Sequence, residues 1–475
     1  MRFVLVLIVA CVTQPGADVG IVAFANSGAP AAQYDFLHGL ALLHNFEYAD
    51  AAESFKKAQK IDPDFSMAYW GEAMTHTHPI WMQQDLAAAR AVLKRLALVS
   101  KPKTDRERDY VHAVEVLYGE GTKDERDFKY ADAMQALHER YPDDVDATAF
   151  YALSLLGTAH EGRDFATYMR AAALLEEVFP THQQHPGVLH YLIHSYDDPI
   201  HAPLGLRAAR LYGSVAPNAP HALHMTSHIF IAMGMWDEVI DANRRAIAAQ
   251  KIPALCGHYS QWLEYAYLQE KRVAEARKML DECQASAVGG SASGEPFSEM
   301  RLLYVSSGGG NVDPITIPDA PAWAKFTIAY GDALAASHRG DADALNDAAT
   351  RLRALQKEQD YKKPGVRERA GIIVQEVEAL QLSAQGKKEE AIAILQKAAA
   401  AESVLPFEFG PPVIEKPTYE LLADELLALG RAADAEKAYR TALERAPGRM
   451  PAVEGLRKAQ KERSANDARR GASSR

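Results

Sequence analysis

Two stretches 384 residues apart carry one pattern. GLALLHNFEYADAAESFKKAQKIDP (Gly39 to Pro63) and ADELLALGRAADAEKAYRTALERAP (Ala423 to Pro447) superpose Ala51 on Ala435, Phe55 on Tyr439, Ala58 on Ala442 and Pro63 on Pro447. Each reads as two apolar-periodic helices joined by a tight turn, with small residues where the helices meet and a proline that the second helix cannot incorporate. A hairpin of this size cannot bury its apolar face alone, so neighbouring copies must stack and share one continuous core. Weaker copies centre on Tyr196 and Pro217, on Gly234, Trp236 and Ala246, on Tyr267 and Ala276, and on Ala391 and Ala398. The pattern therefore runs from about Ala32 to Ala452, and it predicts an all-α array.

This pattern resembles the tetratricopeptide repeat, a 34-residue helix-turn-helix unit. The resemblance implies a tetratricopeptide-type α-solenoid of antiparallel helix hairpins with a concave groove. Composition agrees, with alanine, leucine and charged residues dominant and strand formers sparse. A net charge of −11 argues against nucleic acid, which requires a basic face.

Nine of the 17 histidines fall between His182 and His258, and their spacing decides which way they face. With Ala51 numbered as position 20 of its unit, the packing residues of a first helix fall at positions 4, 7, 8 and 11. Positions 2, 5, 9 and 12 centre roughly 130° away at about 100° per residue. In repeats of the resembling family that second face lines the groove. His190 and His194 take positions 5 and 9 and Asp197 position 12; His221, His224 and His228 take 2, 5 and 9 in the next unit. One unit further, His258, Gln261 and Tyr265 take the same three places.

Residues at i, i+3, i+4 and i+7 share a helical face, so these imidazoles can converge on one point. Imidazole is mostly neutral at pH 7 and is the commonest metal ligand. A nitrogen-rich set suits zinc, copper, nickel or iron and does not suit magnesium or calcium. The expected ligands are His190, His194, His221, His224 and His228, with His258 as a further one. Asp197 and Glu72 are the candidate general bases; Asp197, Asp198, Gln261, Tyr265, Glu72 and His76 are the expected groove or second-shell residues. Asp198 precedes Pro199 and is equally read as turn chemistry. Elsewhere the structural reading prevails: His182, His185 and His201 cap helix ends, His38 and His44 flank a packing face, and Trp236, Tyr267 and Met225 are core.

HExxH, GxSxG, the P-loop and a strand-borne GxGxxG are all absent, which removes the familiar hydrolase and nucleotide signatures. The groove positions of the His-rich units hold no Lys or Arg, against a clamp for a peptide carboxylate. Nothing beyond the N-terminus is apolar enough to span a membrane.

The start, MRFVLVLIVACV, is signal-like, with Ala23-Phe24-Ala25 as a small-x-small cleavage site and Ile8-Val9-Ala10-Cys11 resembling a lipobox. The expectation is an exported, periplasmic bacterial protein, with Cys11 as a lipid-anchor candidate. Cys256 and Cys283 sit near the open end of one hairpin, where an oxidising compartment permits a disulfide. The expected divisions are a signal peptide over 1–25, an N-terminal array with the His-rich groove over 32–285, a Gly/Ser/Pro-rich irregular insert over 286–320, a C-terminal array over 321–463 and a flexible basic tail over 464–475.

The FLHGLALLHNFEY, AYWGEAM, HPGxxHYxIHxxDDP and HALHMxSHIF blocks, spread from Phe36 to Arg272, are similar to those of a large group of exported bacterial tetratricopeptide proteins. The resemblance implies a shared fold and groove site and supplies no reaction. Three functions remain open: a transition-metal-binding groove that serves as a protein- or ligand-binding site, a metal-dependent enzyme activating water or oxygen at the same centre, and a metal-free interaction scaffold.

Overall fold

A computed structural model of the chain describes residues 18–99, 101–290, 294–317, 319–359 and 365–473. Among these, 22 α-helices run from Gln33–His44 to Met450–Ser473, and the only sheet pairs Thr77–His78 with Gln83–Gln84. The chain divides into two compact units. One holds the described residues up to His160 with Arg170–Leu192 and Leu211–Ala222; the other holds Glu161–Met169, Ile193–Arg210 and the described residues from Leu223 onward.

Within each unit, consecutive helices pack in pairs, such as Gln33–His44 on Tyr48–Ile61 in the first and Thr418–Ala428 on Ala432–Arg445 in the second. One turn recurs between them. After the first helix a residue adopts positive φ, and the next N–H reaches back five residues to a carbonyl. Glu47 N–H donates to Leu42 O past Phe46 (φ 58), and Arg431 N–H donates to Leu426 O past Gly430 (φ 74). The same bond follows Gly234, Lys271, Gly340 and Gly386. This left-handed cap satisfies carbonyls that a helix end leaves open, and glycine adopts it without the Cβ clash that costs roughly 1 kcal/mol at Phe46 and Lys271.

The superposed residues also pack alike. Ala51, Phe55 and Ala58 are buried, as are Ala435, Tyr439 and Ala442. A Cβ on Gly71 would lie 2.3 Å from the Phe55 ring, and a Cβ on Gly455, again 384 residues on, 2.2 Å from the Tyr439 ring. Each hairpin's aromatic thus seats against bare backbone of the following helix.

Three stretches bear on the expected divisions. Inside 286–320, Gly294–Ser306 is a helix, because Phe297, Met300 and Leu303 recur at helical spacing and are buried. The stretch from 464 continues the last helix to Ser473, its Ala and Arg content being helix-forming. Residues 1–17, with Cys11, lie outside the described residues, whereas 18–25 are packed and Phe24 is buried. No described helix is long and apolar enough to cross a membrane. Cys256 and Cys283 form a disulfide, with Cα atoms 4.5 Å apart.

Candidate metal centre

The helix Pro186–Ser195 begins with the HPG motif, and the chemistry of that motif is local to the first unit. His185 Nδ1 accepts the Val188 N–H (3.3 Å), capping the helix as its position suggested, while Pro186 occupies the first turn, where no N–H is needed. Gly187 makes room for His44: a Cβ there would sit 2.3 Å from His44 Nδ1. His190 Nδ1 donates to the His44 carbonyl (2.6 Å), and the Tyr191 hydroxyl lies 3.0 Å from His44 Nδ1. The LHNFEY and HPGxxHY blocks are two halves of one packed contact.

At its centre Asp146 Oδ1 lies 2.9 Å from His44 Nε2 and 3.2 Å from His185 Nε2, all three residues being buried. Sequence reading left His44 as packing and did not find Asp146, because the signal is a contact across 102 residues. The two imidazoles hold the Asp146 carboxyl below the usual carboxylate range against the opposing effect of burial. Burial in turn pushes His44 down to about 4, against the Asp146 hydrogen bond. This trio is unsuited to a metal. His185 spends its one neutral lone pair on Val188 N–H, so its Nε2 carries the proton and donates to Asp146.

Of the expected ligands, His190 and His221 fall in this unit, with ring centroids 5.1 Å apart and Phe46 packed on both. Glu72 does not join them: it takes Gln59 Nε2 at 2.7 Å and pairs with Arg95 and, at 3.7 Å, Lys56. That ion-pair set explains a buried carboxylate on structural grounds and displaces the general-base reading of Glu72. His76 is half-buried beyond the end of helix Ser66–Met74, and burial lowers its pKa.

The second unit gathers the rest. Helix Pro220–Ala232 places His224 and His228 one turn apart, and helix His258–Gln269 begins with His258. One ligand atom from each of these three lies within 4.8 Å of the others. Asn243 Nδ2 donates to Val239 O (2.9 Å), so its Oδ1 is the atom that accepts the His224 Nδ1–H, at 2.7 Å. Asp197 Oδ2 accepts the His228 Nδ1–H at 2.6 Å. A neutral ring at either place therefore carries its proton on Nδ1, and the two Nε2 atoms stand 3.1 Å apart. Nitrogens at that distance are joined by a shared proton or by a cation. Two nitrogens each about 2.0–2.1 Å from a tetrahedral zinc would be roughly 3.3 Å apart.

His224 and His228 are buried, contrary to the open groove face that spacing suggested. Trp262 covers both, with ring centroids 4.7 and 4.4 Å away, and Phe409 lies 5.3 Å from His228. His258 is exposed as a residue, yet its ring packs 4.6 Å from His224 and 5.3 Å from Trp262; desolvation, with a smaller effect from the nearby His228, lowers its pKa to about 4. His194, on the Ile193–Arg210 segment, lies 5.9 Å from His228.

The other expected residues separate by role. Asp197 orients His228, and its Oδ1 is buried without a hydrogen bond. Asp198 accepts the N–H groups of Ile200 and His201 and the His201 ring, which is the turn chemistry its place before proline suggested. Tyr265 packs on Trp236 and takes Arg449 (3.4 Å) instead of facing the histidines. Gln261 sits one turn beyond His258 and is half-buried.

A known repeat family agrees with the hairpin geometry near the C-terminal end of the described residues. A tetratricopeptide-repeat model matches residues 417–449. No curated protein matches in sequence. Among solved structures, the chain is similar to the APC/C hetero-tetramer Cut9-Hcn1 (13% identity over 92% of this chain and 78% of that one, TM-score 0.37). It is also similar to yeast Tom70 (12%, 92% and 89%, 0.31) and to the P58(IPK) TPR domain (14%, 92% and 99%, 0.23). The recurring cap and the paired helices, with the repeat match at 417–449, make the fold all-α and tetratricopeptide-type.

Proposed function

We propose that this chain is an interaction scaffold of helix hairpins whose second unit holds a transition-metal ion on His224, His228 and His258, with His194 beside them. One observation supports the reading: two imidazoles whose Nδ1–H groups are taken by Asn243 and Asp197 bring their Nε2 atoms to 3.1 Å of each other, beside His258, where one cation can join them. Fixing the far nitrogen of a ligand histidine with a carboxylate or amide oxygen is how metal sites orient their ligands. An all-nitrogen set favours zinc, copper, nickel or iron. The Cys256–Cys283 disulfide supports the exported, oxidising location suggested by the apolar start of the chain. Hairpin repeats of this type bind proteins or peptides, and the metal would fix the helices that form such a surface.

The test is metal analysis of protein purified without a histidine tag and reconstituted with each of the four ions. One equivalent per chain that disappears in His224→Ala/His228→Ala supports the proposal. Failure of the wild type to retain any of them, with its fold intact, refutes it and leaves a shared proton between the two rings.

A further inference from the structure

The first unit already carries something that reads as a ligand. Residues 18–29 cross it without joining any helix or sheet, entering through a turn at Asp18–Val19 and Gly20 at positive φ (94°). From Ile21 to Ala25 their burial alternates: Val22 and Phe24 point inward, while Ala23 and Ala25 are exposed. Successive hairpins hold the strand by its backbone. Asn218 N–H donates to Asp18 O (3.0 Å), Asn45 Nδ2 to Val19 O (2.7 Å) and Arg106 Nη1 to Ala25 O (2.6 Å). In the other direction Ile21 N–H donates to Gln184 O (2.9 Å), Ser27 N–H to Glu107 Oε1 (2.7 Å) and Ala29 N–H to Asp62 Oδ2 (2.7 Å).

The one large side chain is received by aromatics from three helices: the Phe24 ring lies 5.5 Å from Phe36, 5.8 Å from Trp70 and 5.1 Å from Tyr110, with the Arg106 guanidinium 4.0 Å above it. Beside the segment lies a cavity of about 940 Å³ lined by Ile21, Ala23 and Ala25 together with Arg140, Asp144 and Gln184. Main-chain bonds to a segment outside any helix or sheet, with pockets for alternate side chains, are also the marks of peptide recognition.

We infer that the inner face of the first unit is a recognition site for an extended peptide with an aliphatic residue and, two positions on, a phenylalanine, and that residues 18–29 occupy this site in cis. The sequence offers the means of vacating it. A cut after Ala25, at the small-x-small site, removes Val19, Val22 and Phe24 and leaves the Ser27 and Ala29 bonds in place. Because the tether holds the segment at a high effective concentration, a free peptide competes poorly until the cis residues are weakened or removed. The site is independent of the proposed metal centre and stands or falls without it.

The experiment titrates a synthetic peptide of residues 18–29 into the full chain and into its Val22→Ala/Phe24→Ala variant by calorimetry, with circular dichroism as the check on folding. The variant is expected to bind one peptide at least tenfold more tightly than the wild type does, and a peptide bearing Phe24→Ala is expected to bind neither. A chain beginning at Asn26 should bind as the variant does. A folded variant that ignores the peptide, or that takes both peptides equally, overturns the inference. Loss of helical structure in both the variant and the shortened chain overturns it as well, since the segment would then be core.

Discussion

His224→Gln addresses the two facing lone pairs directly. With both rings neutral and no metal bound, the buried Nε2 atoms of His224 and His228 would meet 3.1 Å apart as two acceptors, a mismatch of about 1–3 kcal/mol. Glutamine places an amide nitrogen near the position of the imidazole Nε2 and can donate across that gap. It loses the Nδ1–H bond to Asn243, which is about 1 kcal/mol. The gain and the loss offset, so the metal-free variant should melt within about 1 kcal/mol of the wild type. Metal response should differ sharply. An ion at a hundredfold excess over its dissociation constant stabilises the folded state by about 2.7 kcal/mol, roughly 5–10 °C in melting temperature for a cooperative unit of a few hundred residues. Scanning calorimetry after chelation, with and without added zinc, should show that rise in the wild type and none in the variant. A variant that responds as fully as the wild type would refute the ligand role of His224. A metal-free variant that loses several kcal/mol would show that the ring is held for packing alone.

The repeat core and a buried carboxylate give two further expectations. Gly71→Ala and Gly455→Ala should each cost at least 1–3 kcal/mol by overpacking (~2 kcal/mol typically), because the new Cβ falls inside the Phe55 or Tyr439 ring; adding Phe55→Leu to Gly71→Ala should recover part of it in chemical denaturation, and additive losses would contradict the geometry. Burial raises Glu376, which accepts from the Tyr330 hydroxyl, to about 8. The unfolded carboxyl ionises near pH 4.5 and the folded one near 8, so the wild type loses stability as pH rises through that window; Glu376→Gln should be the more stable protein at pH 8, on the order of a few kcal/mol, with the difference closing toward pH 4.5 in urea melts. A constant difference across that range would contradict the assignment.

The hairpins were legible because their determinants are local: small residues at fixed offsets, a proline stop and apolar periodicity. The turn was less so, since Phe46 and Lys271 adopt the conformation that Gly430 advertises. Helical spacing correctly set His224 and His228 on one face, but it measured only direction along a helix. It could not report that Trp262 and Phe409 close over that face, because those residues are remote in sequence. It likewise placed Tyr265 with the histidines, where Arg449, 184 residues away, claims the hydroxyl. The packed strand at 18–29 was hidden by its own composition: VGIVAFA reads as the end of a leader, and only the aromatic receptor around Phe24 gives it a structural role.

Two clusters built from the same residue types thus reach opposite chemistry through the far nitrogen of each ring. In the second unit Asn243 and Asp197 take the Nδ1 protons and turn the two Nε2 atoms toward each other, the arrangement on which the proposed metal site rests. In the first, Val188 N–H occupies the His185 lone pair and leaves a proton for Asp146, so that cluster answers to pH instead. Burial holds the folded His44 pKa near 4, while the unfolded residue titrates near 6.5. The unfolded chain therefore gains a proton first as pH falls, and stability contributed above pH 6.5 is lost by pH 4, about 3 kcal/mol for a shift of that size. Below that the depressed Asp146 carboxyl adds to the loss as the unfolded carboxylate protonates. His44→Gln keeps a neutral donor toward Asp146 and has no proton to gain, so its denaturation free energy should fall less steeply between pH 6.5 and 4 than that of the wild type. Equal slopes would mean that His44 is charged in the fold and that the trio is an ion pair, which its burial and the Tyr191 contact argue against.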